Sequence, residues 1–149
     1  MAMYITDEVK KMIGTETEPV TLDVERGDIR LFAQAIGDPN PLFNDEQEAR
    51  KTRFGGMIAS PTFPRLLMGR QLPKLEMPNP PKRLLDAGSE WEFLHPIRPG
   101  DRISVSSRLA DLRETEGRMG TMLVQVMEVR YVNQFDEVCT IQRMTLFMY

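Results

Sequence analysis

The chain has 149 residues, with 19 lysines and arginines against 22 aspartates and glutamates, which gives a net charge of −3 with the histidine neutral. This size predicts one domain over residues 1–149, large enough to bury most of its unfolded surface. The mild acidity argues against nucleic-acid binding, and the densest basic cluster has only three charges: Arg50, Lys51 and Arg53. No apolar run reaches the roughly 20 residues of a membrane-spanning helix, so we expect neither nucleic acid nor membrane as a partner.

Cysteine and histidine usage limits the metal and redox chemistry. Cys139 is the only cysteine, which excludes an intrachain disulfide and a cysteine-based metal cluster. His95 is the only histidine, so one chain cannot build a multi-histidine metal site. The N-terminus carries acidic residues where a signal peptide has basic ones. We expect a cytoplasmic protein with no metal and no bound cofactor.

The first elements in the chain are helices and one short strand. Thr6 is placed to cap a short helix that Gly14 ends. Alternation over residues 19–24 predicts a strand. Residues 25–37 form an amphipathic helix, whose apolar residues recur at i, i+3, i+4 and i+7: Ile29, Phe32, Ala33 and Ile36.

Proline and glycine then interrupt the periodicity. Asp38-Pro39-Asn40-Pro41 is a rigid, non-repetitive segment, and a short polar helix is predicted over residues 45–51. Gly55 and Gly56 precede an apolar stretch that we interpret as a buried helix beginning at about Pro61. Residues 71–82 contain four prolines and form a loop, either a plain surface loop or a lid over a ligand.

The second half predicts strands. Trp91 and Phe93 alternate with glutamates, residues 103–109 alternate in the same way, and long apolar strands follow over residues 121–133 and 138–148. Three strands of roughly ten or more residues joined by hairpins make a twisted antiparallel sheet with one apolar face to cover. The predicted fold class is α+β, with a curved antiparallel sheet wrapped round one central helix.

Two features near the middle of the chain offer chemistry. Asp38, with Asn40, is held in a proline-rigidified turn, where a carboxylate can position water or act as a base; the alternative is that both residues only shape the turn. Backbone amides at Gly55 and Gly56, before the predicted helix, can stabilise an oxyanion; the alternative is tight packing of helix on sheet.

The remaining candidates are weaker. His95 is the obvious acid or base near neutral pH, but it lies in a turn beside Pro96, where a solvated or capping histidine is the alternative. The 11 methionines suit either a flexible acyl pocket or core filling. Cys139 lies in an apolar strand, so we expect a buried and inert thiol.

Four stretches of the chain resemble the MaoC-like hot-dog proteins, which are (R)-specific 2-enoyl-thioester hydratases and 3-hydroxyacyl-thioester dehydratases. They are residues 29–45, which contain Gly37-Asp38-Pro39-Asn40-Pro41-Leu42-Phe43, and residues 54–64, 91–93 and 97–102. The subtype that the chain resembles is the N-terminal-type, degenerate dehydratase domain. The resemblance implies the hot-dog fold, a long helix wrapped by a curved antiparallel sheet.

The resemblance also implies a mechanism and shows where this chain departs from it. In the family an aspartate and a histidine five positions later hold the water that adds to the enoyl group, and a glycine amide at the start of the helix polarises the thioester carbonyl. Asp38 matches the aspartate, Asn40 supports it and Gly56 fits the oxyanion amide. The histidine position is Phe43, and phenylalanine cannot exchange a proton. His95 is a candidate substitute.

These residues imply a subunit of a heteromeric hydratase or dehydratase of acyl metabolism. The partner hot-dog subunit would supply the Asp/His dyad, and this chain would help shape the channel for an acyl-CoA or acyl-carrier-protein thioester. A homodimer is the other assembly. Two other functions stay open: a non-catalytic acyl-thioester binding or structural module, and a self-sufficient hydratase or thioesterase that uses Asp38.

Overall fold

The computed structural model describes residues 4–69 and 74–149. Short helices, with one strand between the first two of them, precede four longer strands, and the five strands form one antiparallel sheet, which confirms the predicted α+β class. The elements are α1 (Asp7–Lys10), β1 (Val20–Asp23), α2 (Arg26–Ala35), α3 (Pro41–Asn44), α4 (Glu46–Arg50), α5 (Pro64–Met68), β2 (Leu84–Phe93), β3 (Arg102–Gly117), β4 (Gly120–Val132) and β5 (Val138–Met148). The strand order in the sheet is β1-β3-β4-β5-β2.

The three long strands supply about half of the buried hydrophobic residues of the described chain. β3, β4 and β5 have 16, 13 and 11 residues, which agrees with the prediction of three long strands joined by hairpins. Their alternation places one face inward, and Ile103, Val105, Met127 and Tyr131 are fully buried there. Against this face pack α2, the stretch before α5, and α5 itself, through Ile29, Ala33, Met57, Phe63, Leu67 and Met68.

Several local expectations are confirmed. Thr6 Oγ1 accepts a hydrogen bond from Val9 N–H at 3.3 Å, as expected of the cap. α1 ends at Lys10, before the predicted end at Gly14, and a turn continues to Gly14, whose φ is +92°. Asp45 caps α4 by accepting from two backbone amides. The helix α2 matches its prediction to within two residues at each end, except that Ile36 lies beyond it and is half exposed.

The buried helix begins later than predicted. α5 starts at Pro64, not at Pro61, and the described helix has five residues. Pro64 has no N–H to donate to the carbonyl of Ser60, so the turn before it closes with shorter bonds, such as that from Phe63 N–H to Ser60 C=O at 3.0 Å. Part of the predicted proline-rich loop, residues 71–73, lies outside the described residues, and residues 74–82 are irregular as expected.

One helix was not predicted, and one predicted strand begins earlier than expected. Asn40 accepts from Leu42 N–H and caps the short helix α3 in what we interpreted as a non-repetitive segment. β2 begins at Leu84, six residues before the first predicted strand residue, and a bulge between Asp86 and Gly88 obscures its alternation. In the described part of the chain, no helix has the length and apolarity needed to cross a membrane.

A buried polar chain links the core to β2. Tyr131, which is fully buried, donates to Gln142 Oε1 at 2.9 Å, and Gln142 Nε2 lies 3.0 Å from Ser89 Oγ. Burial raises the pKa of Tyr131, so the phenol stays protonated and remains the donor.

We expect Tyr131→Phe to lower the free energy of unfolding by about 1–3 kcal/mol, because the substitution leaves the buried Gln142 oxygen without a partner. The double variant Tyr131→Phe/Gln142→Leu removes both polar groups and should lose less. Urea unfolding measures both variants. A double variant as unstable as the single one would show that the hydrogen bond is not what stabilises this part of the core.

Candidate active site

The turn that contains Asp38 and Asn40 is built by its own side chains. Asp38 Oδ1 accepts from Asn40 N–H at 3.0 Å, and Asn40 Oδ1 accepts from Leu42 N–H at 3.0 Å. Asn44 Nδ2 donates to the backbone carbonyls of both residues, at 3.0 and 2.8 Å. Both predicted site residues therefore shape the turn, as the alternative interpretation has it, and any part they play in chemistry comes in addition to this structural one.

Phe43 lies in the hydrophobic core. Its side chain is 6% exposed and belongs to the main hydrophobic cluster, with Ile29 and Ala33 of α2. The preceding residue also joins α3 to the stretch before α5, since Leu42 C=O accepts from Ile58 N–H at 3.3 Å. Phe43 thus anchors α3 to the core by hydrophobic burial.

The glycine turn is fixed from both sides. Upstream, Arg98 Nη1 donates to the Phe54 carbonyl at 2.7 Å, and Gly55 has φ +69°, which favours glycine. Downstream, Glu46 Oε2 accepts from Met57 N–H at 3.2 Å. Between these contacts, Gly56 is buried, and its N–H has no acceptor among the described residues.

Gly56 does not lie at a helix N-terminus, which corrects the expectation for its surroundings. Residues 57–60 are buried and belong to neither a helix nor a strand, and α5 begins eight residues after Gly56. The neighbour of Gly56 is a carboxylate and not a packed helix: a Cβ there would lie 3.3 Å from Glu46 Oε1, a tight contact that the Glu46 side chain would have to relieve. The amide of Gly56 therefore has no helix dipole behind it.

Glu46 is the residue of this site that sequence reasoning missed. Its carboxylate accepts from Arg50 Nε at 3.0 Å as well as from Met57 N–H, and these two hydrogen bonds hold the pKa of Glu46 below its ordinary value. The i, i+4 spacing of Glu46 and Arg50 on a polar helix was visible in the sequence. Their contact with a glycine turn 11 residues away was not.

His95 contacts the carboxylate of Glu137 and not that of Asp38. Its Nδ1 lies 3.6 Å from Glu137 Oε2, with both side chains about half exposed. No hydrogen bond or ion pair in the described structure joins His95 to Asp38. The structure therefore brings Asp38 and Asn40 together in one turn. It places Gly56 between the Arg98 contact to Phe54 and the Glu46 contact to Met57. The partner of His95 is Glu137.

A pocket of about 320 Å³ lies between the end of β2 and the stretch before α5. His95 and Ser60 are among its lining residues, which include no methionine, whereas Met57, Met127 and Met144 are buried in the core. The methionines described in the core thus act as filling. Cys139 is also buried, and burial raises the pKa of its thiol to about 11, which agrees with an inert thiol.

Comparison with known sequences identifies related proteins over most of the chain. The model of the family described as "FAS1-like, dehydratase domain region" matches residues 11–142. A UPF0336 protein of Parafrankia sp. is 38% identical over 104 residues, which cover 65% of this chain and 67% of that protein. A UPF0336 protein of Thermobifida fusca is 30% identical over 103 residues, covering 66% and 68%. The chain thus spans about two thirds of the length of these curated relatives.

Solved structures with the same fold include MaoC-like proteins. The MaoC-like dehydratase from Rhodospirillum rubrum superposes with a TM-score of 0.73 at 26% identity, covering 92% of both chains. Chains of two Mycobacterium tuberculosis complexes share the fold at lower identity. The HadBC (3R)-hydroxyacyl-ACP dehydratase gives a TM-score of 0.74 at 20% identity, covering 91% of this chain and 96% of that one. The ChsH1-ChsH2 complex gives 0.76 at 18%, covering 95% and 92%.

These matches confirm the hot-dog fold, although the five described residues of α5 are shorter than the long central helix that we expected. They also agree with the MaoC-like resemblance carried by the Asp38 turn and the Gly56 stretch. The chain belongs to the FAS1-like dehydratase domain family of MaoC-like hot-dog proteins.

Proposed function

We propose that this chain is a subunit of a heteromeric 2-enoyl-thioester hydratase or (3R)-hydroxyacyl-thioester dehydratase of acyl metabolism. A partner hot-dog subunit supplies the Asp/His dyad, and this chain helps to shape the acyl channel. The observation that carries the proposal is Phe43: an apolar side chain buried in the core stands where the family signature has its acid/base.

The loss of that group has a large kinetic effect. A positioned acid/base contributes typically 10²–10⁴-fold in rate, which corresponds to about 3–5 kcal/mol of barrier. The contact of His95 with Glu137, and not with Asp38, argues against His95 as the replacement. Gly56 keeps a backbone amide without an acceptor in the described structure, so this chain can still contribute a donor to a thioester carbonyl.

The outer strand β2 supports assembly with a partner. It ends the sheet order, and nine of its ten residues are exposed, with only Trp91 partly covered. Leu84, Leu85 and Phe93 are 60%, 51% and 54% exposed. A long strand edge with apolar side chains favours pairing with another chain. The HadBC and ChsH1-ChsH2 complexes, whose chains share this fold, lend support to a heteromeric arrangement.

The purified chain alone should hydrate crotonyl-CoA at least about 10²-fold more slowly than an equimolar complex with a hot-dog subunit that has an intact Asp/His dyad. Loss of the enoyl absorbance measures both rates, and Asp38→Ala in this chain should leave the rate of the complex within a few-fold. Turnover by the chain alone that Asp38→Ala abolishes would favour the self-sufficient hydratase. Thioester binding with no turnover in any complex would favour the binding module.

Assembly should depend on β2. We expect Leu85→Lys to weaken the association with the partner subunit, since it places a charge on the apolar strand edge. Met119→Lys is the matched control, because Met119 is 63% exposed at the β3–β4 turn, away from that edge. Light scattering of the mixed subunits measures association. Equal assembly of the two variants would contradict a partner site on β2.

The glycine turn should depend on ionised Glu46. Because its folded pKa is lowered, this carboxylate stabilises the fold above its ordinary pKa of 4.5, and the stabilisation is lost as the pH falls through the lowered value. Glu46→Gln should therefore be less stable than wild type at about pH 7, with a difference that shrinks as the pH falls below 4.5. Glu48→Gln is the control, since the Glu48 side chain accepts from Lys51 and makes no contact with the glycine turn in the described structure. Urea midpoints that show the same pH dependence for both variants would contradict this role.

A further inference from the structure

Two charged side chains fix the peptide planes on either side of the Gly56 amide. Arg98 Nη1 donates to the carbonyl of the plane between Phe54 and Gly55 at 2.7 Å. Glu46 Oε2 accepts from the N–H of the plane that follows Gly56 at 3.2 Å. The plane between these two carries the Gly56 N–H, which has no acceptor among the described residues. The direction of this free N–H is therefore set by its two fixed neighbours.

Both charged residues are themselves held by other side chains. The backbone N–H of Arg98 donates to Asp101 Oδ2 at 2.8 Å, and Asp101 is 8% exposed and also accepts from Gln134 Nε2 at 3.0 Å. Glu46 Oε1 accepts from Arg50 Nε at 3.0 Å. The turn is thus fixed by contacts within the chain before any ligand arrives, which is the preorganisation that an electrostatic donor needs.

Arg50 also offsets the charge of Glu46 where that charge would be harmful. A Cβ at Gly56 would lie 3.3 Å from Glu46 Oε1, so this oxygen lies close to the Gly56 backbone. The Glu46 side chain is only 22% exposed, so water screens its charge only in part. An unpaired carboxylate here would repel a carbonyl oxygen that gains negative charge while it accepts from Gly56. Because the same Oε1 pairs with Arg50, Glu46 fixes the turn without this penalty.

The two charged side chains act on the turn and not on a bound molecule. Glu46 and Arg98 are not among the described residues that line the pocket of about 320 Å³, whereas Phe54 and Ile58, on either side of Gly56, are. An effect of either charged residue on a molecule in that pocket must therefore pass through the backbone of the glycine turn.

We infer that Glu46 and Arg98 are positioning residues, which hold the Gly56 N–H in the direction from which it donates to the thioester carbonyl. The inference rests on the proposed function and adds to it the side chains that keep this donor in place. Loss of either hydrogen bond frees one of the two outer peptide planes. The middle plane then rotates, and the carbonyl is less polarised because the donor is no longer aimed at it.

Isotope-edited infrared spectroscopy of the full chain, in the oligomeric state in which it purifies, tests this role. The probe is butyryl-CoA labelled with carbon-13 at the thioester carbonyl, which has no enoyl group to hydrate. Donation from an N–H lowers the stretching frequency of a carbonyl, so the probe bound to wild type should absorb at a lower frequency than the free probe. Glu46→Ala should lose most of this shift and bind the probe about 2- to 10-fold more weakly.

Three further variants separate positioning from a general disturbance of α4. Glu46→Gln keeps a side-chain oxygen that accepts from Met57 N–H, so it should keep more of the shift than Glu46→Ala. Arg98→Met removes the hydrogen bond on the other side of the turn and should also reduce the shift. Glu48→Ala is the matched control, since Glu48 lies on the same helix but pairs with Lys51 at 2.7 Å, and it should show the wild-type shift.

The outcomes distinguish this inference from the proposed function. Circular dichroism first establishes which variants are folded, and Arg98→Met decides the question where Glu46→Ala is not. A wild-type shift in the folded variant, or an equal loss in Glu48→Ala, would overturn the positioning role. So would a probe that binds wild type with no shift at all. These results leave the proposed function standing, because turnover by the heteromeric complex tests it separately. Absence of both probe binding and turnover would overturn both.

Discussion

The inner face of the curved sheet must be covered, and the rest of the molecule follows from how the chain does this. The long strands β3, β4 and β5 present an unbroken row of fully buried side chains, among them Leu109, Met127 and Met144. Leaving that face in water would cost roughly 25 cal/mol for each Å² of apolar surface. The described residues cover it with α2, Phe43 of α3, the irregular stretch before α5 and the five residues of α5. They leave β2 largely exposed, and Phe93 at its end is 54% exposed.

The candidate site depends on the irregular stretch before α5, which forms part of this cover. Because α5 begins only at Pro64, residues 57–60 are buried outside any helix or strand, and their backbone groups need partners from elsewhere in the chain. Ile58 N–H finds the Leu42 carbonyl, Ala59 N–H finds the Ile97 carbonyl, and Met57 N–H finds Glu46. The amides of Gly56 and Ser60, at the two ends of this run, have no acceptor among the described residues. A buried donor without a partner is costly, and such donors persist where a ligand group takes the place of the missing acceptor.

The sequence was sufficient for elements whose signals are local. The cap at Thr6, the apolar periodicity of α2 and the alternation of β3 each depend on residues a few positions apart, and the structure agrees with them. The start of β2 was missed because the Asp86–Gly88 bulge breaks the alternation, and the start of α5 was wrong because two prolines three positions apart left its first turn open. The contacts of Glu46 and Arg98 could not be predicted, since they span 11 and 44 residues.

The structural roles of the signature residues decide which of them are informative about chemistry. Asp38, Asn40 and Asn44 have structural tasks in the turn, where they hold one another and cap α3. A chain that no longer performs the reaction still needs them to fold this segment, so their presence does not indicate catalysis. A histidine at position 43 has no such task, and a buried imidazole there would need a hydrogen-bond partner that the surrounding apolar cluster lacks. Phenylalanine instead adds buried apolar surface. The residue that departs from the signature therefore carries more information about function than the residues that keep it.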